Sequence, residues 1–343
     1  MFFVFFDIPQ EESNFMKILF MGTPEFARDQ LTALWENREA NGWEIVGVLS
    51  QPDKPKGRGS KLIPTPVKEY AESIGLSVYQ PTTLRDEAFA GLLAQLDPEL
   101  IVVAAYGKIL PRSVLDYPKY GCINVHGSLL PAYRGAAPIQ RAIMDGLTCT
   151  GNTIQFMADG IDTGEVIAAD RIEIGENEDF GSLYDRMGKS GGKLLVSVIP
   201  SIENGTVTRQ VQDDTLANYA PKIEKAECAL DFTVSAQILH NKIRGLSPAP
   251  LGIAVLTTEK ETKNCKLVST VVVEKEGVHG EPGTVLSADA KKGMFTVACG
   301  EGILGVTALV PEGKGKMNAG DFIRGRKIAE GDRLSMPIFE EKK

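Results

Sequence analysis

Two short segments carry the side chains best suited to polar chemistry. Residues 121–126 (GCINVH) read as a strand, and with a period of two Asn124 and His126 project to one side while Val125 faces the other. An amide donor beside an imidazole can polarise a carbonyl and move a proton. Residues 159–164 (DGIDTG) set two carboxylates, Asp159 and Asp162, three apart in a turn. Each has a plainer alternative, since a strand-end histidine also serves as a core residue and aspartates also simply close turns. Between the segments, 128–138 (SLLPAYRGAAP) is a loop with two prolines and a glycine, more elaborate than a simple connection needs. Cys122 and His126 share a strand face, but no second pair of ligands accompanies them. No metal site is expected, and Cys122 reads as a small core residue. Gly22-Thr23-Pro24 follows a first strand without the GxGxxG pattern, so no NAD site is expected.

These residues need a scaffold that brings strand ends together. Strand-like runs at 17–21, 44–49, 77–79, 99–105, 121–126, 152–157 and 165–173 alternate with helical stretches. The helices fall at 25–39, 66–74, 84–96, 136–145 and 179–203. The run 99–105 (ELIVVAA) is continuously apolar, as a strand buried on both faces should be. This α/β order argues for a Rossmann-like, doubly wound open sheet with ligands at the carboxyl ends of its strands. The pattern changes after Asn204-Gly205. Residues 205–218 are polar and read as a linker, and 233–244 as one helix. Short β-branched runs then follow at 252–257, 266–274, 283–287, 294–299 and 303–310, which suggests a smaller β-barrel or sandwich. The expected organisation is a catalytic domain over 16–204, a linker over 205–218 and a second domain over 219–335. The leading MFFVFF lacks the basic region and cleavage site of a secretory signal, so 1–15 are expected to be a disordered extension.

Composition sets outer limits. A chain of 343 residues that is 43% hydrophobic and 24% charged suits one large or two medium globular domains. Its longest apolar runs fall far short of the ~20 residues that span a bilayer. Five cysteines without a CxxC pair do not form a disulfide framework or a zinc site, which points to a reducing, cytoplasmic setting. Net charge is −8, yet from Tyr219 onward 18 basic residues meet 16 acidic ones, so the acidity lies in the first part. The loop 51–63 concentrates Lys54, Lys56, Arg58 and Lys61 against Asp53 alone. Its prolines and glycines forbid a regular helix; a solvated surface loop is the plain alternative to a binding arm.

The segment CINVHGSLLPAYRGAAP (122–138), with Asp162-Thr163-Gly164, resembles the 10-formyltetrahydrofolate-dependent formyltransferase family. MKILFMGTPEFA (16–27), QPDKPKGRGSKL (51–62) and APIQRAIMDG (137–146) are similar to the branch of that family whose acceptor is initiator methionyl-tRNA. The resemblance covers nearly the whole chain from Met16. It implies a catalytic triad of Asn124, His126 and Asp162, choosing Asp162 over Asp159 because it directly precedes Thr163-Gly164. It implies that Ser128, Leu129, Leu130 and Pro131 bind folate. It also implies that the loop bearing Lys54, Lys56, Arg58 and Lys61 enters the acceptor end of the tRNA, with Arg58 decisive. The second domain resembles an OB-type barrel, and Lys222, Lys225, Lys242, Arg244, Lys314, Lys316, Arg324, Arg326 and Lys327 are its candidates for phosphate contacts.

The co-substrate implied is 10-formyltetrahydrofolate and the partner initiator methionyl-tRNA, with no metal, no membrane and a monomeric protein. Ala132-Tyr133 before Arg134, and the absence of an aromatic in 246–250 (LSPAP), depart from some relatives. Competing readings are formyl transfer to a small amine (an amino sugar nucleotide or glycinamide ribonucleotide), hydrolysis of the formyl donor, and a non-catalytic binding module. The intact Asn124, His126 and Asp162 set counts against the last.

Overall fold

A computed structural model of the chain describes residues 15–55 and 62–338. Its first part is a seven-stranded sheet. In chain order its strands are β1 (Met16–Gly22), β2 (Trp43–Leu49), β3 (Val78–Tyr79), β4 (Leu100–Ala104), β5 (Cys122–His126), β6 (Thr153–Phe156) and β7 (Val166–Ala169). The spatial order is β7-β6-β5-β4-β1-β2-β3. The continuous apolar runs divide their side chains between two cores. Ile18, Phe20, Leu100, Val102, Ile123 and Val125 pack on one face. Leu19, Met21, Ile101, Val103 and Cys122 pack on the other. Strict alternation therefore fills both faces.

Helices α1 (Glu25–Asn41), α2 (Pro66–Ser73), α3 (Glu87–Leu96), α4 (Pro138–Met144) and α5 (Phe180–Glu203) complete the layers. The first and last close one face through Leu31, Leu34, Leu183 and Leu195, while α3 closes the other through Phe89 and Leu93. Side chains one turn ahead start several of them: Asp179 accepts from the Ser182 amide and Asp86 from the Phe89 amide.

Five strands are parallel, but β6 runs antiparallel to β5 and β7 antiparallel to β6. The short connection between β6 and β7 leaves no room for the helical crossover that parallel pairing requires. The single run 165–173 is accordingly two pieces, because Ile172–Glu173 leaves the main sheet to pair with Cys149–Thr150.

The second part contains α6 (Ala236–Leu246), β8 (Gly252–Thr257), β9 (Thr262–Glu274), β10 (Val285–Asp289), β11 (Met294–Ala298), β12 (Ile303–Pro311), α7 (Ala319–Arg324) and β13 (Arg333–Ser335). All neighbouring strands are antiparallel, in the order β10-β11-β12-β9-β8-β13. The sheet curls until its edges approach, with a bridge between Thr284 and Arg333. Leu239, Ile243, Leu267, Phe295, Val297 and Leu304 fill its interior. Among the described residues no helix is long and apolar enough to cross a membrane.

Two of the cations expected to meet phosphates do other work. Arg244 is 6% exposed. Its Nη1 donates to the carbonyls of Gly175 (3.2 Å) and Glu178 (3.0 Å), at the entry to α5, and its Nε donates to Asn241 Oδ1 (3.0 Å). Lys242 is partly buried and donates to the Ala229 carbonyl at 2.7 Å. Desolvation pulls both groups below their ordinary values. Truncating Arg244 to alanine removes the side-chain donor to the Glu178 carbonyl, whereas the Gly175 carbonyl keeps the Glu178 amide at 3.0 Å. Because an orphaned buried acceptor costs about 1–3 kcal/mol, the variant should lose stability in that range in urea unfolding. A change below about 0.5 kcal/mol, the usual surface effect, would contradict this. Lys222, Lys314, Lys316, Arg326 and Lys327 are exposed.

Candidate active site

Strand β5 delivers the amide and the imidazole, and the turn between β6 and β7 delivers the carboxylate. Asp162 Oδ2 lies 3.5 Å from His126 Nδ1, and Asn124 Nδ2 donates to Asp162 Oδ1 at 3.4 Å. Two shorter bonds orient the same carboxylate. The Gly135 amide donates to Oδ2 at 2.8 Å, and Gln155 Nε2 to Oδ1 at 3.1 Å. Gln155 arrives there by strand register, directly opposite Asn124 in the β5–β6 pair. His126 is 6% exposed. Its Nε2 stands 2.9 Å from the Tyr133 carbonyl, which can only accept, so this nitrogen carries a proton and Nδ1 faces Asp162.

The other aspartate of the turn goes elsewhere. Asp159 is exposed and forms an ion pair with Arg112. Asp162 has φ +53°, a left-handed conformation that turns its side chain back toward β5. Gly135 shows why the opposing loop can approach. It has φ +116°, and a Cβ on it would sit 2.9 Å from the Ala220 carbonyl.

The three groups open onto a cavity of about 610 Å³ beyond the carboxyl ends of β4 and β5. Apolar side chains wall it, among them Phe26, Tyr106, Met157, Phe180 and Tyr184. Among its lining residues Ile109 is 73% and Ile161 59% exposed, so part of the apolar lining faces outward. Tyr106 is buried, which pushes its phenol up to about 12, and its hydroxyl has no hydrogen-bond partner among the described residues. This lining suits a largely apolar ligand whose polar end meets Asn124 and His126.

Residues 128–131 are not among those lining the cavity. The Ser128 hydroxyl donates to the Ala132 carbonyl at 2.6 Å, and the Leu130 amide donates to Thr153 Oγ1 at 3.1 Å. The run thus ties the loop that follows β5 to β6. Cys122 is a buried thiol raised to about 12 by desolvation, in keeping with a packing role. Among the described residues no group of His, Cys, Asp and Glu is placed to hold a metal ion.

Of the basic loop, Lys54 is described and exposed, on a two-residue strand paired with Leu62–Ile63. Lys56, Arg58 and Lys61 lie outside the described residues, as do residues 1–14 of the expected extension. Asp53, the loop's one acid, is bound by Lys68 of α2 at 2.8 Å, which holds its carboxyl below the usual range.

Sequence reasoning did not single out Gln155, Gly135, Arg134 or Gln212. The last two meet beside the Asp162 turn, where Arg134 Nη2 donates to Gln212 Oε1 at 2.8 Å. Only strand register and the path of the polar segment 205–218 bring them there, and neither shows in local spacing.

Comparison with known proteins gives a consistent result. Residues 16–199 match the formyl transferase family model, and residues 222–327 match that of the formyl transferase C-terminal domain. The chain is 40% identical over 322 residues to the methionyl-tRNA formyltransferase of Bacillus licheniformis, covering 93% of this chain and 98% of that one. It is 44% identical over 314 residues to the methionyl-tRNA formyltransferase of Clostridium novyi, covering 91% and 98%. Among solved structures it is similar to an N-formyltransferase from Helicobacter canadensis in complex with folinic acid and dTDP-3-aminofucose. That match has a TM-score of 0.60 and 18% identity, and it covers 85% of this chain and 98% of the other. Such low identity speaks for the fold.

Proposed function

The chain belongs to the formyl transferase family, and from that premise we propose that it transfers the formyl group of 10-formyltetrahydrofolate to the methionine α-amino group of initiator methionyl-tRNA. The observation that carries this reading is the convergence of Asn124, His126 and Asp162 on one apolar-walled cavity. The acceptor is taken from the relatives at about 40% identity over most of the chain.

An α-amino group titrates near ~8, so an appreciable part is a free nucleophile near neutral pH and no covalent enzyme intermediate is needed. The amine nitrogen bonds to the formyl carbon, the bond from that carbon to N10 breaks, and the proton lost by the amine ends on N10. Charge accumulates on the formyl oxygen. Asn124 has a second amide hydrogen besides the one turned to Asp162, and it serves as a donor to that oxygen. In its doubly protonated form His126 is the other donor, through Nδ1–H, whose 3.5 Å contact with Asp162 is loose enough to be shared. The bonds from Gly135 and Gln155 are the short ones. They hold the carboxylate still while the longer contacts exchange with substrate. The 128–131 run supports folate binding by fixing the wall at Gly127 and Gly135–Pro138. Solvent is kept from the reacting carbon by the apolar walls.

The basic arm takes the tRNA. Because Lys68 already neutralises Asp53, the one acid of the loop sequence does not offset the charges of Lys54, Lys56, Arg58 and Lys61. The exposed lysines and arginines of the second domain supply phosphate contacts.

The test is formylation of charged initiator and elongator methionyl-tRNA under matched conditions. Formyl-methionine should appear with the initiator alone, and kcat/KM for tRNA should fall steeply with salt as phosphate contacts are screened. Arg58→Ala should raise KM for tRNA while formyl-folate binding by calorimetry is unchanged. Product with an amino sugar nucleotide in place of tRNA, or a flat salt response, would overturn the assignment.

A further inference from the structure

The segment 205–218, polar and easily read as a passive spacer, runs along the back of the reaction centre. It forms an antiparallel bridge to β7 through reciprocal 2.8 Å bonds between Gln210 and Val166. It then grips the loop that carries Tyr133 and Gly135. Arg134 N donates to the Asn218 carbonyl at 3.0 Å, and Ala220 N donates to the Arg134 carbonyl at 2.7 Å. Between these anchors lies Gln212. Its Nε2 is within reach of three acceptors: the carbonyls of Gly164 (2.7 Å) and Asp162 (2.9 Å), and Gln155 Oε1 (3.1 Å). Its Oε1 accepts from Arg134 Nη2 at 2.8 Å and Nε at 3.2 Å. The Arg134 side chain is 3% exposed and is paired with Asp214 of the same segment.

Each bond in this chain has only one possible direction. A guanidinium donates and never accepts, so the Gln212 oxygen must face it. The Gln212 amide nitrogen must then face inward, so Gln155 must present its oxygen to Gln212 and its nitrogen to Asp162. We propose that Arg134 and Gln212 are positioning residues that orient the Asp162 carboxylate through Gln155, making the interdomain segment part of the active site. The inference rests on the role assigned above to Asp162.

Three variants and their combination test this. Gln212→Glu keeps size and the Arg134 contact but turns an acceptor toward two carbonyls and Gln155. Gln155 must then reverse its amide and face Asp162 with oxygen. Expected is a fall in kcat on the order of 10–100-fold, with KM for formyl-folate within about twofold, since a displaced catalytic group acts on turnover. Gln212→Ala and Gln155→Ala should each lower kcat, and the double variant should lose no more than the worse single, because both cut one chain. Additive losses, a rise in KM with kcat kept, or wild-type kcat in Gln212→Glu would each overturn the inference. Thermal melts of every variant separate a loss of turnover from a loss of fold. A kcat loss fully explained by the unfolded fraction counts against positioning. Wild-type protein run alongside separates the two readings. No formyl-methionine from wild type refutes the proposed function, whereas wild-type turnover with unaffected variants refutes only this role.

Discussion

Replacing Asp162 by alanine should lower kcat by about 10²–10³-fold while the protein remains folded. The carboxylate is the one group that touches both other members of the site, His126 at 3.5 Å and Asn124 at 3.4 Å. Without it the imidazole loses the anion that orients its Nδ1 edge, and the Asn124 amide loses the acceptor that sets its rotation. His126→Ala and Asn124→Ala each remove a donor to the developing oxyanion and should fall in the same range. Groups that act as a unit are strongly non-additive, so the triple variant should be little worse than the poorest single one. The companion substitution Asp159→Ala gives the contrast. Asp159 sits in the same turn but is exposed and paired with Arg112, and solvent screens an exposed ion pair of this kind. Its removal should leave kcat within a few-fold of wild type. Single-turnover formylation with saturating donor reads these effects directly. An Asp159→Ala loss matching that of Asp162→Ala would mean the wrong carboxylate has been placed at the centre.

The parts of this site legible in the sequence are those governed by local periodicity. Period-two alternation is enough to put Asn124 and His126 on one face of β5, and the same rule divides Leu19 and Phe20 between opposite cores. Asp162 is different. No spacing rule links a turn residue to a strand many positions earlier; family resemblance alone favours it over Asp159, and the φ of +53° is the local conformation that accompanies its place beside His126. Gln155 becomes visible only once β6 is known to be antiparallel to β5 in the register that sets it opposite Asn124. Gln212 was hidden for a further reason. Polar composition describes both a solvated spacer and a strand of chain whose side chains satisfy buried carbonyls, and only the partners distinguish them. Burial misleads in the reverse sense at Arg244, where a charge that reads as a phosphate contact is spent on the carbonyls of Gly175 and Glu178.

The turn that carries Asp162 can be disturbed without altering any of its functional groups. A Cβ built on Gly164 would lie 1.6 Å from the Phe156 carbonyl oxygen. That is less than half an ordinary contact, and the obstacle is backbone, which cannot swing aside as a side chain does. Gly164→Ala must therefore displace the segment 162–164 or open the hairpin between β6 and β7, where Phe156 N donates to the Glu165 carbonyl at 2.9 Å. Either movement also strains the 2.7 Å bond from Gln212 Nε2 to the Gly164 carbonyl. Overpacking of this kind typically costs about 1–3 kcal/mol in stability. A shift of ~1 Å in a catalytic group can by itself cost about 10²-fold in rate. The variant is thus expected to melt only moderately lower yet lose turnover almost as completely as Asp162→Ala, with formyl-folate affinity largely kept. Gly91→Ala makes the same chemical change on the exposed side of α3, where a new methyl group meets nothing within 4 Å. It should leave kcat unchanged and raise stability slightly, by about 0.5–1 kcal/mol. Near-wild-type turnover in Gly164→Ala would mean that the carboxylate tolerates displacement, and a mechanism that depends on its exact placement beside His126 would have to be abandoned.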